Sequence, residues 1–358
     1  MPFVRHLSAL RFLTMISAAP TRRRFLQAAT AGAVAGFPFI RAQQAAVLGQ
    51  GEYRYRVVPG WGVLDAKAPV KNCHGMVRDR EGHLILLTDH VANNVIIYDR
   101  QGKLVKKWGT QFPGAHGLSI VAEGTREVLF ITCLQTHRVV KTTLDGEVLQ
   151  EWHWPEATGK YEKEEQFKPS WTLHLGNGDF FVLDGYGRDY ITHYDAAGKL
   201  VKIFGGQEGG IVHWGPHGGM VDSSDPTSPS LLIAMSDQQH LLRLSLDGKK
   251  LAQVDLPGGN PRQIRAHGSH YFVAHLADNW PKDRNSRGFV SVLDADLRVM
   301  SNIGGISPTY DETGKLQPMK HQEEVFTHPH DLIVDEDSSL YVAQFASGNT
   351  YPIKLERV

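Results

Sequence analysis

Cysteine is almost missing: Cys73 and Cys133 are the only two in 358 residues. Two thiols are too few for a disulfide framework, although a single bridge between them stays open. Charge of one sign is missing too, since 38 Lys and Arg balance 38 Asp and Glu. That balance gives no reason to expect a nucleic-acid surface or a polyanionic partner. Long hydrophobic runs are also scarce. The N-terminal apolar stretch from Ala28 to Ile40 is about 13 residues, short of the about 20 a membrane-spanning helix needs, so no stable span is expected after processing. What remains is globular in character: 41% hydrophobic, with Gly 36, Pro 18 and an unusual 18 histidines. That apolar content can fill one large core, and all-β domains often reach this length undivided.

The N-terminus reads as an address. Thr21-Arg22-Arg23-Arg24-Phe25-Leu26-Gln27 precedes the short apolar run, in the manner of a twin-arginine signal read by the machinery that exports folded proteins. Residues 1–45 are therefore assigned to a signal peptide, and 46–358 to the mature domain. The expected location is the bacterial periplasm or beyond.

From about residue 53 the chain repeats with a period in the forties. YDRQGKLVKKWG, TTLDGEVLQEWH, YDAAGKLVKIFGG and LSLDGKKLAQVDL are copies of one half-unit. HGMVRDREGHLILLTD, PSWTLHLGNGDFFVLD and HPHDLIVDEDSSLYVAQ are copies of the other. Short β-branched and aromatic strands separated by Gly/Asp/Asn turns describe a four-stranded antiparallel meander. Repetition at this period predicts an all-β, six-bladed β-propeller. The units open near His74, His116, Ser170, His217, Arg262 and His330. The last unit runs out after its third strand, and Tyr53 to Gly62, ending in the same Trp-Gly as KKWG, supplies the fourth. Closing the ring in this way removes a free sheet edge.

Aligned on their first strands, the six units read His, His, Ser, His, Arg, His at one position. In an up-and-down blade the innermost strand begins on the face where the loop joining strands two and three opens. The six positions therefore ring one mouth of the central channel, and DGYGRD (Asp184 to Asp189) opens beside them. Imidazole nitrogens bind Zn²⁺ at about 2.0–2.1 Å, and three protein ligands plus an open position make a catalytic site. His116, His217 and His330, one on every second blade, have three-fold geometry around the axis. They are the expected ligands of Zn²⁺ or another divalent transition metal, with His74 as a candidate fourth. The competing reading is that each imidazole hydrogen-bonds a neighbouring blade's carbonyl.

These segments resemble peptidyl-α-hydroxyglycine α-amidating lyase, a propeller of NHL type that cleaves the N–C bond of a hydroxylated glycine. The likeness covers most of residues 70–357. AHGLSI around His116, GPHGGM around His217 and HPHDLIV around His330 look like its three zinc-ligand segments. The resemblance implies that Tyr186, in DGYGRDYITHYDAAGKLVKIFGG, is the catalytic base. It also implies that Asp331, with main-chain oxygens of Met76 and Leu118, holds a structural calcium.

There are departures. Thr88, Asp89 and His90 stand where the family carries a catalytic arginine, His328 replaces a methionine, and His74 has no counterpart. Arg262 is the candidate replacement cation. Trp171, Ser170 and His328 are candidate substrate-lining residues, and the loop Leu276 to Gly288 is a candidate cap. The leading expectation is an exported, metal-dependent lyase-like enzyme acting on a small polar molecule of the α-hydroxylated amide type. The alternatives are a propeller lactonase-type hydrolase, whose Glu, Asn and Asp ligands this ring lacks, and a non-enzymatic NHL-type scaffold.

Overall fold

Strands such as LILLT and FFVL are buried at every position, yet the side chains of a strand alternate between two faces. Both faces must therefore be covered, and the blades of the ring cover them for each other. In the computed structural model, which describes residues 46–62, 66–213 and 215–358, Leu84 and Leu86 pack with Ile333 and Tyr341 of the sixth blade. Their neighbours Ile85 and Leu87 pack with Leu129 and Ile131 of the second. Six such clusters fill the six gaps between blades.

Each blade is a four-stranded antiparallel sheet, and there are six. The innermost strands are Cys73–Arg78, Ala115–Glu123, Trp171–His174, Pro216–Asp222, Pro261–His267 and Pro329–Val334. The fourth strands lie at the rim, and Lys250–Asp255 is exposed at five of its six positions. No described helix is long and apolar enough to cross a membrane. The expected export signal at 1–45 lies outside the described residues.

Closure follows the expected route. Tyr55–Val57 pairs antiparallel with Ile353–Arg357, Tyr55 opposite Arg357, and becomes the outer strand of the sixth blade. Trp61 then does what its counterparts do. The indole N–H of Trp61 donates to Arg100 O (3.0 Å), that of Trp108 to Leu144 O (2.9 Å), and that of Trp152 to Gly198 O (2.9 Å). Each joins one blade's rim to the next blade's outer turn.

Cys73 and Cys133 are both buried free thiols, so the bridge left open by the sequence is not made.

Candidate metal centre

The histidine ring depends on a backbone irregularity. The pairing register shifts between Cys73 and Gly75, Ala115 and Leu118, Pro216 and Gly218, Pro261 and Gln263, and Pro329 and Asp331. His74, His116, His217, Arg262 and His330 fall within these shifts. A bulge of this kind re-aims the side chain it carries, here out of the blade and toward the axis. The His-Gly pairs have their own reason. A Cβ at Gly117 would sit 2.5 Å from Ser170 O, and one at Gly218 would sit 2.3 Å from Arg262 O. Glycine lets the next blade's carbonyl come close enough to accept the preceding histidine's N–H.

Those bonds are made. Nδ1 of His116 lies 2.9 Å from Ser170 O, Nδ1 of His217 lies 2.9 Å from Arg262 O, and Nδ1 of His330 lies 2.7 Å from His74 O. A carbonyl only accepts, so each Nδ1 carries the proton and each Nε2 keeps its lone pair. All three acceptors hold the ring position of the following blade. The two sequence readings are thus compatible: one nitrogen binds the neighbouring blade, and the other is left for a ligand. This is the tautomer and orientation that metal-binding histidines take.

The rings converge. Centroids of His116, His217 and His330 are 4.7–4.8 Å apart in every pairing. His74 lies 4.8 Å from His116 and 4.7 Å from His330, opposite His217. Nitrogens of His74, His116 and His330 lie within 4.8 Å of one another. His217 joins this group by its ring centroid, 4.8 Å from His116 and 4.7 Å from His330. Nδ1 of His217 is fixed on a carbonyl, whereas Nδ1 of His74 faces His330 Nε2 at 3.4 Å. Burial pushes His74 down to about 3 and the other three well below the ordinary imidazole range, with Arg262 and the neighbouring rings acting in the same direction. Neutral imidazoles are the form that binds metal. Nε2 of His116 is buried with no hydrogen-bond partner.

Above the ring lies a cavity of about 790 Å³. His74, His116 and His330 form part of its lining, and Tyr186, Asp237, Arg262, Leu276, Trp280, Arg284, His328 and Phe345 form much of the rest. The 276–288 loop contributes Leu276, Trp280, Pro281 and Arg284 to this lining. Tyr186 is held by a buried carboxylate. Asp184 accepts bonds from Lys168 N (2.6 Å), Arg188 N (2.7 Å) and the Tyr161 hydroxyl (2.9 Å), which fold the loop around it. The Tyr186 hydroxyl lies 3.0 Å from His217 Nε2 and 3.4 Å from Arg262 Nη1. Burial raises Tyr186 above its ordinary value, and Arg262 opposes that rise. Arg262 is itself buried, its Nε has no partner, and Asp237 stands 3.8 Å from its Nη2.

Two expectations need correction. Ser170 and Trp171 do not line the cavity. The Ser170 hydroxyl bonds Pro216 O at 2.9 Å, and Trp171 is buried beneath, edge-on to His116 at 6.3 Å. Thr88 and Asp89 do not reach it either, because they accept bonds from Lys71 N and Asn72. Nor does Asp331 fit a calcium ion. Arg265 Nε and Nη2 lie 2.9 and 2.5 Å from its two oxygens, and Nη2 also bonds Met76 O at 3.0 Å. A guanidinium stands where the resemblance implied a metal ion. Sequence reading missed Asp237, although it sits in the loop joining strands two and three of the fourth blade. The topological rule that placed DGYGRD beside the ring selects that loop as well.

No protein-family profile and no curated protein matches the chain in sequence. Solved structures do match in fold. A protein of unknown function from Bacteroides thetaiotaomicron is 11% identical, with TM-score 0.54 over 87% of this chain and 76% of that one. A β-propeller domain from Myceliophteria thermophila is 12% identical, with TM-score 0.50 over 81% and 98%. Virginiamycin B lyase from Staphylococcus aureus is 12% identical, with TM-score 0.49 over 80% of each chain. At these identities the first two likenesses establish the propeller fold and nothing further.

Proposed function

We propose that this chain is an exported, metal-dependent enzyme of lyase type that acts on a small polar molecule above the histidine ring. One observation carries the reading. His116, His217 and His330 each commit Nδ1–H to the next blade's carbonyl and keep Nε2 for the axis. The donor set fits the group: neutral nitrogens, with an orphaned buried Nε2 on His116, suit Zn²⁺ or another borderline divalent ion. His116, His217 and His330 would hold it, with His74 at the fourth side. When bound, such an ion acidifies a coordinated hydroxyl or water.

The chain's own residues supply the rest. Tyr186 stands over the ring as the proton acceptor, and the adjacent Arg262 cation favours its phenolate. Trp280, Pro281 and Arg284 cover the mouth and limit water. The resemblance to amidating lyases nominates an α-hydroxylated amide. Tyr186 takes the hydroxyl proton, the C–N bond breaks to leave a carbonyl product, and the same proton returns to the amide nitrogen.

Metal analysis of the purified mature protein tests the reading. About one tightly held transition-metal ion per chain is expected, falling sharply in His116→Ala, His217→Ala and His330→Ala. Metal-free wild-type protein, or full metal content in all three variants, would sink it. Hydroxyglycine-type compounds are the first substrates to assay. Export is checked separately: changing Arg22 and Arg23 together to Lys should leave precursor in the cytoplasm, and normal processing would point to the general secretory route.

A further inference from the structure

The ligand nitrogens are not equally bare. Nε2 of His116 has no partner, whereas Nε2 of His217 lies 3.0 Å from the Tyr186 hydroxyl. His217 does not appear in the cavity lining, although His74, His116 and His330 do. The direction of the Tyr186 bond is fixed by its surroundings. Arg262 has only donors, so the contact of its Nη1 with the Tyr186 oxygen uses an oxygen lone pair. Nδ1–H of His217 is spent on Arg262 O, so its Nε2 only accepts. The phenolic hydrogen therefore points at the lone pair that a metal ion would take. The same logic holds on the opposite side of the ring. Nδ1–H of His330 is spent on His74 O, so His330 Nε2 only accepts, and the group facing it at 3.4 Å is His74 Nδ1.

We infer that Tyr186 and His74 are internal caps, two donors that occupy the lone pairs of His217 and His330 and must withdraw for an ion to enter. This rests on the metal reading above and adds an order of events to it. Nε2 of His116 has no such donor and would accept an ion without this exchange. Binding then exchanges the caps for the ion. Tyr186 is released beside Arg262 and over the newly filled site, so its hydroxyl is freed for work only when the site is loaded. His74 belongs to this exchange as a donor rather than as a ligand.

Zinc affinity of the metal-stripped full-length mature protein, measured by competition with a chromophoric chelator, tests the inference. The comparison is between wild type, Tyr186→Phe and His74→Phe, with circular dichroism checking the fold. Removing a competing hydrogen bond should tighten zinc binding about two- to tenfold in each variant. Unchanged or weaker binding in Tyr186→Phe overturns the Tyr186 cap, and weaker binding in His74→Phe makes His74 a ligand and overturns its cap. A second measurement needs no altered fold. Zinc added to the stripped wild type should perturb its tyrosine ultraviolet difference spectrum, and the perturbation should vanish in Tyr186→Phe. Stoichiometric zinc uptake without that perturbation rejects the inference while sparing the metal reading. Wild-type protein that takes up no zinc rejects both.

Discussion

Two tiers cross the channel within a few residues of each other, and they are finished to different degrees. In the lower tier the buried carboxylate is fully matched. Asp331 accepts bonds from Arg265 Nε and Nη2, from Met76 N and from Leu332 N. Arg265 reaches from the fifth blade to the sixth and the first, and its guanidinium lies 5.8 Å from the Trp171 ring of the third. In the upper tier the count is incomplete. Nε2 of His116 and Nε of Arg262 are buried without partners, and Arg262 meets Asp237 only at 3.8 Å. Buried polar groups are nearly always satisfied, so a cluster that is not points to something that arrives from outside. The matched tier closes on itself; the unmatched tier above it has donors and lone pairs left for a ligand.

The sharpest way to break that contrast is to remove single groups from each tier. In the upper tier, Tyr186→Phe deletes one oxygen and should cut turnover of any identified substrate by about 10²–10⁴, the usual share of a general base, with the fold retained. Wild-type turnover would make Tyr186 a packing residue. In the lower tier the effect should fall on stability instead. Arg265→Met strands a fully buried carboxylate and should cost about 3–5 kcal/mol in denaturant unfolding, and adding Asp331→Leu should recover most of it. Added calcium should leave the wild-type midpoint unchanged, because Arg265 already fills that place. A clear calcium-induced rise would show that the lower tier is not closed.

Much of this was legible beforehand. The period, the turn chemistry and the Trp-Gly at residue 61 gave the blade count and the closing strand, because each blade repeats one local solution. The alignment of His74, His116, His217 and His330 gave the ring, since one register position per blade must meet at the axis. What stayed hidden was pairwise and non-local. Nothing in the sequence joins Arg265 to Asp331 across 66 positions, so a family pattern suggested calcium where a guanidinium lies. Ser170 occupied the correct register, but its short side chain turned to Pro216 O rather than into the cavity. Asp237 was missed because a lone loop carboxylate carries no spacing signal.

Away from both tiers, two further histidines predict a smaller effect and test whether incompleteness alone signals function. His174 lies 4.4 Å from the Phe130 ring and stacks on Phe180; His275 stacks on Phe289, and neither of its nitrogens has a partner. Burial pushes each down to about 3, with Lys141 adding to the effect at His174. In the unfolded chain an imidazole takes its proton near pH 6.5, so between about 6.5 and 3 the unfolded state binds more protons than the folded one. Stability should therefore be level above pH 6.5 and decline as pH falls through that window. Each group should contribute on the order of 1–2 kcal/mol of loss by pH 5. His275→Leu removes one of these protons and should flatten the acid slope of the urea midpoint while leaving zinc affinity untouched. Should the variant and wild type run parallel from pH 7 to pH 5, His275 is not held neutral by the fold. If His275→Leu instead loses zinc, the boundary drawn between the ring and the rest of the blade interior is in the wrong place.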